Sequence, residues 1–532
     1  MTEHRRVDVD VAPSGQPQRR PAKPATASDQ ALGAQLVPAG LLLILVFAPL
    51  FSGGYAPSAL LVLQWLGLAL LVAVVWQPRP LTLRWAEWVF LGLLFVLPLL
   101  YLLPLPAWLA QWLPARELYA EARALAGEEA LAATRLSIYP FATEAAWLML
   151  VLPIGVYIAA RSLSESQQFR LIYVFFGVVL VQVLIALFQF ATDSGMQYSL
   201  VDLLDRGGAS GTYLNRNHLA GMIELALPLV LAMFFYDFGG RIQTSARRSG
   251  LRKRLASLLQ WSNRPSWLFV LLAVLLTVGV IVTRSRTGIL MVMVGILVAT
   301  ILFSRRLGGR GSVGLIGQLI TISVGVAIFL GLAPVLDRFS VAEMEGDARW
   351  PIAVATFDAA GRLLPFGSGP GTYQDVFELY QPIELGRWVI NYAHNDYLQV
   401  FFELGLAGLV LIGAFLMLYL AQWPRLLKAE DWSRYRSLQI GAGIALLLLL
   451  GHSFTDNNLR NPANMAYFAM VAAVFFSAPG MPRLSDLPRK RKRRALTLEE
   501  SGIVGAGSAA TDTAAGGAST PARPRSPNPF DD

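Results

Sequence analysis

Cysteine is absent from the 532-residue chain, which excludes a disulfide framework, a thiol nucleophile and any thiolate-held metal. Charge is scarce: 15% of residues are Asp, Glu, Lys or Arg, against roughly 25% in an ordinary soluble domain. Four histidines occur in all. No cleavable-signal pattern opens the chain, because about 35 polar, Pro-rich residues precede the first apolar run, too long for a signal n-region. There is no nucleotide P-loop, no HExxH and no nucleophile elbow. These absences disfavour a metal-dependent enzyme fuelled by a soluble nucleotide. An internal repeat is also lacking, which counts against transporters built from repeated halves.

What the chain has in abundance is apolar sequence. Hydrophobic residues make up 55% of it. They recur in blocks of roughly 17–25 residues, the length a helix needs to cross a bilayer. The blocks predict an all-α, polytopic integral membrane protein with about twelve transmembrane helices. Their expected positions are 36–53, 58–76, 87–104, 144–161, 170–191, 217–236, 266–283, 287–304, 313–335, 396–420, 437–454 and 463–479. The 13 Trp and 16 Tyr suit interfacial belts, and suit large cores equally.

The net charge of +9 suggests nucleic acid in a soluble protein, but here the cations sit in short loops and tails. They gather at 237–265, 305–312, 421–436 and in the run Arg489 to Arg494. Twelve crossings with a cytoplasmic N-terminus put all four on the cytoplasmic side, as the positive-inside rule requires. The loop 336–395 between helices nine and ten then lies outside, with eight acidic residues against four arginines. Three parts follow: a disordered cytoplasmic tail (1–35), a transmembrane domain (36–480) and a basic, then disordered, cytoplasmic tail (481–532). Two external segments are large, 105–143 and 336–395. The second predicts a short helix from Arg349 to Arg362, a Gly-rich turn at Gly367–Gly371 and another short helix near Tyr373–Tyr380. The turn reads as a sharp bend, with phosphate cradling as the alternative.

Apart from His4, the histidines fall at external helix ends in polar company: Asn215-Arg216-Asn217-His218, His394-Asn395-Asp396, and His452 followed by Asp456, Asn457, Asn458 and Arg460. Taken singly, each reads equally as an interfacial or capping residue. Three clusters on one face point to a shared site. The segment Thr283-Arg284-Ser285-Arg286-Thr287-Gly288 interrupts a long apolar stretch. Its two guanidinium groups suit bidentate phosphate binding, or lipid headgroups at a tight hairpin. Asn395, Gln399 and Glu403 follow at i, i+4 and i+8 and predict a polar stripe ~12 Å long on one helix face. Lipid penalises such a stripe, so it should face other helices or a wet cavity. His394 stands at the mouth of that cavity, placed to act as a general base.

Five pieces in this order resemble the O-antigen ligase and polymerase family of bacterial polysaccharide enzymes. They are GTYLNRNHLAG (Gly211 to Gly221), Ser285-Arg286-Thr287-Gly288, PFGSGPGTY (Pro365 to Tyr373), AHNDYL (Ala393 to Leu398) and HSFTDNNLRNP (His452 to Pro462). They span about half of the chain. The resemblance implies a GT-C-like glycosyltransferase of the bacterial inner membrane. It would take a glycan from undecaprenyl diphosphate on the periplasmic face and pass it to a hydroxyl of another glycan, of lipid A core or of a protein. Neither metal, cofactor nor nucleic acid is implied. His394 matches the family's catalytic histidine, and Arg216 and Arg286 match its diphosphate-binding arginines. Arg284, His218, Asn395, Asp396, Gln399, Glu403, His452, Asp456 and Arg460 are the expected cavity residues. The first and last pieces look closer to exopolysaccharide-type polymerases than to lipid A core ligases. A lipid-linked glycan flippase or transporter is the rival reading, and a transporter should carry its polar groups nearer the bilayer midplane. A non-catalytic membrane scaffold is the third.

Overall fold

The computed structural model describes residues 27–77, 81–106, 108, 113–114, 135–192, 209–245, 266–307, 348–386, 388–428 and 432–478. Among them the structure is helical, with two isolated β-bridges and no strand. Seven helical segments are long and apolar enough to cross a membrane, and three shorter apolar helices accompany them. Eleven of the expected segments fall on described helices. The twelfth, 313–335, lies outside the described residues, as do the two tails apart from the start of the first helix and most of the segment 105–143.

The helices are α1 (Ala27–Phe47), α2 (Pro57–Val74), α3 (Trp85–Leu102), α4 (Pro140–Met149), α5 (Val151–Arg161), α6 (Glu165–Thr192), α7 (Arg216–Ser245), α8 (Ser266–Val282), α9 (Arg286–Leu307), α10 (Arg349–Arg362), α11 (Tyr373–Phe377), α12 (Asp396–Leu427), α13 (Arg434–His452) and α14 (Pro462–Phe476). Every residue from Asn217 to Phe235 of α7 is buried. A helix apolar on all sides has no lipid- or water-facing stripe, and belongs in the middle of a bundle. The buried run of α13 packs beside it, close enough that a Cβ on Gly441 would stand 2.7 Å from the Pro228 carbonyl oxygen. Small residues let α2 and α5 touch in the same way, with Gly67 against the backbone of Leu152 and Gly155 against that of Gly67.

A polar layer ties the bundle together at the end away from the histidines. Buried Glu87 of α3 accepts from Tyr157 at 2.9 Å and pairs with buried Arg161 at 3.2 Å. Arg161 also donates to Ser477 Oγ at 3.0 Å, and Gln439 donates to the Ser477 carbonyl at 2.6 Å. The layer thus joins α3, α5 and α13 to the segment just past α14.

The segment 348–386 folds onto the start of α12. Ile352, Ala359 and Leu363 from α10 and its end, Tyr373 and Phe377 of α11, and Phe402 of α12 form a second core. Tyr373 stacks on Phe377 at 4.9 Å and meets Phe402 edge-on at 5.0 Å. At Gly405 the α12 backbone leaves helical geometry (φ 55°, ψ −133°), which frees carbonyl groups just before it. The Gly-rich turn takes them up: Ser368 N donates to the Phe402 oxygen at 3.0 Å and Gly369 N to the Glu403 oxygen at 2.8 Å. Tyr101 of α3 donates to the Leu404 oxygen at 3.1 Å. The bend reading of Gly367–Gly371 therefore accounts for these N–H groups. The polar stripe Asn395–Gln399–Glu403 lies on the part of α12 before the break, and 406–427 continues separately.

Gly405 has no freedom to vary, since a Cβ there would stand 2.2 Å from the Pro365 oxygen at a φ that L-residues avoid. Gly405→Ala is expected to destabilise the fold by about 1–3 kcal/mol from backbone strain alone, before the clash is counted. Gly413→Ala, where nothing lies within 4 Å of the added methyl, should change it by less than about 1 kcal/mol. Thermal denaturation of the two purified variants in detergent checks the contrast.

Candidate active site

The connection from α13 to α14 carries Asp456, whose side chain is fully buried. A buried carboxylate is tolerable only if other groups replace its water. Asp456 Oδ1 accepts from the Asn457 backbone N–H at 2.9 Å and faces His394 Nδ1 at 3.4 Å. Oδ2 accepts from Asn217 Nδ2 and pairs with Arg349 Nη2 at 3.3 Å. Burial pushes the carboxyl up, but His394 and Arg349 outweigh it and hold Asp456 well below the usual carboxylate range.

His394 precedes the N-cap of α12 with φ at +48°, a left-handed conformation that non-glycine residues seldom adopt. Its neighbours hold it there. Asn395 caps α12 by accepting from the N–H groups of Tyr397 and Leu398. The Ala393 N–H donates to Gln399 Oε1 at 3.2 Å, Gln399 Nε2 to Glu403 Oε1 at 3.1 Å, and Arg460 Nη2 to Glu403 Oε2 at 2.7 Å. Asp396 Oδ2 accepts from the Leu459 N–H at 3.0 Å, and the Asp396 N–H donates to the Ser453 oxygen at 2.9 Å. The expected polar stripe is thus a ladder that fixes the backbone on either side of His394. The imidazole itself is 32% exposed.

Two other helix starts converge on the same connection. Gln182 and Gln189 of α6 hold the backbone of Ser210, Gly211 and Thr212, which positions the turn into α7. Arg216 and Asn217 open α7, and Asn464 Nδ2 donates to the His218 oxygen at 2.9 Å. Arg286 opens α9, and the hydroxyl of Thr287 accepts from that of Thr455 at 2.8 Å. Arg216 and Arg286 are each one residue from a side chain that bonds the 455–456 segment.

Not every expected residue faces the His394 opening. His218 is buried and stacks on Tyr55, their rings 6.0 Å apart. His452 is fully buried, its Nδ1 2.7 Å from Glu224 Oε1. Arg284 lies over the Phe190 ring at 5.6 Å, with φ at +55°. Three participants escape a reading of the sequence: Arg349, Glu224 and Tyr55. Glu224 left a signal, a lone carboxylate in an apolar helix seven residues past Asn217 and so on the same face. Arg349 left none, being 107 residues from Asp456.

A histidine backed by a buried carboxylate, open on one side and flanked by helix starts bearing arginines, can take a proton beside a bound anion. The family comparison bears on the same region. Residues 271–413 match the model of the O-antigen ligase family. That stretch is similar to an O-antigen ligase domain. The matched stretch includes Arg286, Arg349 and His394, whereas Arg216, Asp456 and Arg460 lie outside it. No curated protein matches the chain. The long apolar helices are those of a membrane protein, and the matched family is one of glycan transfer.

The lowered pKa of Asp456 fixes a sign. A carboxyl with a folded pKa below its unfolded value of roughly 3.9 adds stability that is present above that pH. It is lost as pH falls through the folded value. Asp456→Asn should therefore cost about 1–3 kcal/mol at pH 7 through its unmatched partners, and the gap to the wild type should narrow below about pH 4. Melting curves of both proteins between pH 3 and 7 test this.

Proposed function

We propose that the chain is a metal-independent, inverting glycosyltransferase that moves a glycan from undecaprenyl diphosphate to an acceptor hydroxyl. The observation that carries the proposal is His394, which lies in the stretch matching the O-antigen ligase model, is partly open and is backed by the buried Asp456 carboxylate. With Nδ1–H directed at Asp456, Nε2 holds the lone pair that takes the acceptor proton. As that O–H bond breaks, the acceptor oxygen bonds to the anomeric carbon from the face opposite the diphosphate. The anomeric C–O bond to the diphosphate breaks, its electron pair leaves with the lipid carrier, and configuration inverts. Arg216 and Arg286 are assigned to the charge that grows on the leaving diphosphate. Asp456 stabilises the imidazolium, and the Gln399–Glu403–Arg460 ladder keeps the ring in place.

The protein is assigned to the bacterial inner membrane with a GT-C-like fold. In this assignment both tails (1–35 and 481–532) are cytoplasmic and the site faces the periplasm. The loop cations support that orientation. Polymerisation of an exopolysaccharide-type glycan is favoured over ligation to lipid A core or to protein. That preference rests on the GTYLNRNHLAG and HSFTDNNLRNP segments.

The test uses purified protein in lipid vesicles with an undecaprenyl-diphosphate-linked repeat unit from the host, with and without lipid A core. A ladder of longer lipid-linked glycans is expected, and His394→Ala should slow it by about 10²–10⁴-fold as the loss of a general base does. A product that needs lipid A core makes the enzyme a ligase. Absence of any transfer from authentic donor overturns the proposal in favour of transport.

A further inference from the structure

Helix α10 buries one face and leaves another bare. Ile352, Ala355 and Ala359 enter the second core. On the far side Trp350, Val354 and Phe357 recur at i, i+4 and i+7, and Trp350 and Phe357 are 77% and 60% exposed. A helix with water on that side would carry polar residues there. Arginines stand at both ends of the stripe, Arg349 and Arg362.

Two contacts fix where this face lies. At its first residue α10 reaches Asp456, 3.3 Å from Arg349, beside the ends of α7, α9 and α13. Of these, α7 and α9 are long and apolar enough to cross a membrane, and α10 starts level with their ends. Sideways, the Phe357 ring lies 6.2 Å from Phe401 of α12. Beyond the break at Gly405 the same helix exposes Leu406, Leu409 and Val410 along its spanning part. The bare stripe therefore lies beside the helix that carries this exposed apolar surface, and a Trp with flanking arginines suits the headgroup level.

We propose that α10 is an interfacial helix, with Trp350, Val354 and Phe357 seated in the headgroup–acyl boundary on the site's side of the membrane. Lipid at this stripe holds Arg349 at the height of Asp456. The occupant is bilayer lipid, because the stripe meets α12 at Phe401 and that helix exposes Leu406, Leu409 and Val410 past Gly405.

The absence of cysteine makes the test direct, since any introduced thiol is the only one in the full chain. Val354→Cys carries a nitroxide, and the protein is reconstituted in vesicles of phosphatidylethanolamine and phosphatidylglycerol. Asp375→Cys, on an exposed position of α11, is the aqueous reference. Power-saturation spectroscopy then compares access of oxygen, which concentrates in lipid, with access of a water-soluble nickel chelate. The expected result is a ratio of oxygen to nickel access several-fold higher at 354 than at 375. Equal ratios place the stripe in water and overturn the proposal. Protection from both reagents means that protein covers the stripe, and overturns it as well. Phe357→Cys repeats the measurement if Val354→Cys is not monodisperse. The readout requires no transfer activity, so it stands or fails separately from the glycosyltransferase reading.

Discussion

The buried charge of Asp456 dictates the arrangement around it. An ionised carboxylate cannot stay in a helical bundle without donors on both oxygens. Its donors come from widely separated parts of the chain: Asn217 at the start of α7, Arg349 at the start of α10 and His394 just before α12. Satisfying one charge therefore brings three helix starts to one place. The geometry of His394 follows from that requirement, because a strained, left-handed residue keeps its conformation only where its surroundings over-determine it.

The bundle separates this demand from ordinary stability. The Glu87–Arg161 layer and the glycine contacts between α2 and α5 hold the opposite end and the middle. Neither involves a side chain that faces the His394 opening. Buried ion pairs are weak evidence for stability in themselves, but removing one partner strands the other. Each polar layer thus favours the alignment in which both are complete, and the register of α3, α5, α13 and α14 is set at two levels.

Much of the helical plan was legible because bilayer-length apolar blocks carry their own signal, and α2, α6 and α9 lie where such blocks end. The gathering of His394 and Asp456 was legible too, since polar residues at helix ends of an apolar chain stand out against their background. The identity of the pairs was not. Glu224 faces His452 and Arg349 faces Asp456 through tertiary packing, which local spacing does not encode. The polar stripe on α12, expected to face other helices or a wet cavity, bonds the Ala393 backbone and Arg460 beside His394. The helix break escaped notice for a similar reason. Gly405, Gly408 and Gly413 look alike in sequence, and only the approach of the Pro365 carbonyl makes the first of them a break.

That break mechanically uncouples the two parts of α12. A spanning helix answers a change in bilayer thickness by tilting. In a continuous rod, tilt over 406–427 would swing His394, at the far end of the lever, away from Asp456. With the helix interrupted at Gly405, and the carbonyls before it tied to the Ser368–Gly369 turn, the tilt is absorbed at the joint. The meeting of His394 and Asp456 then need not follow the tilt of 406–427.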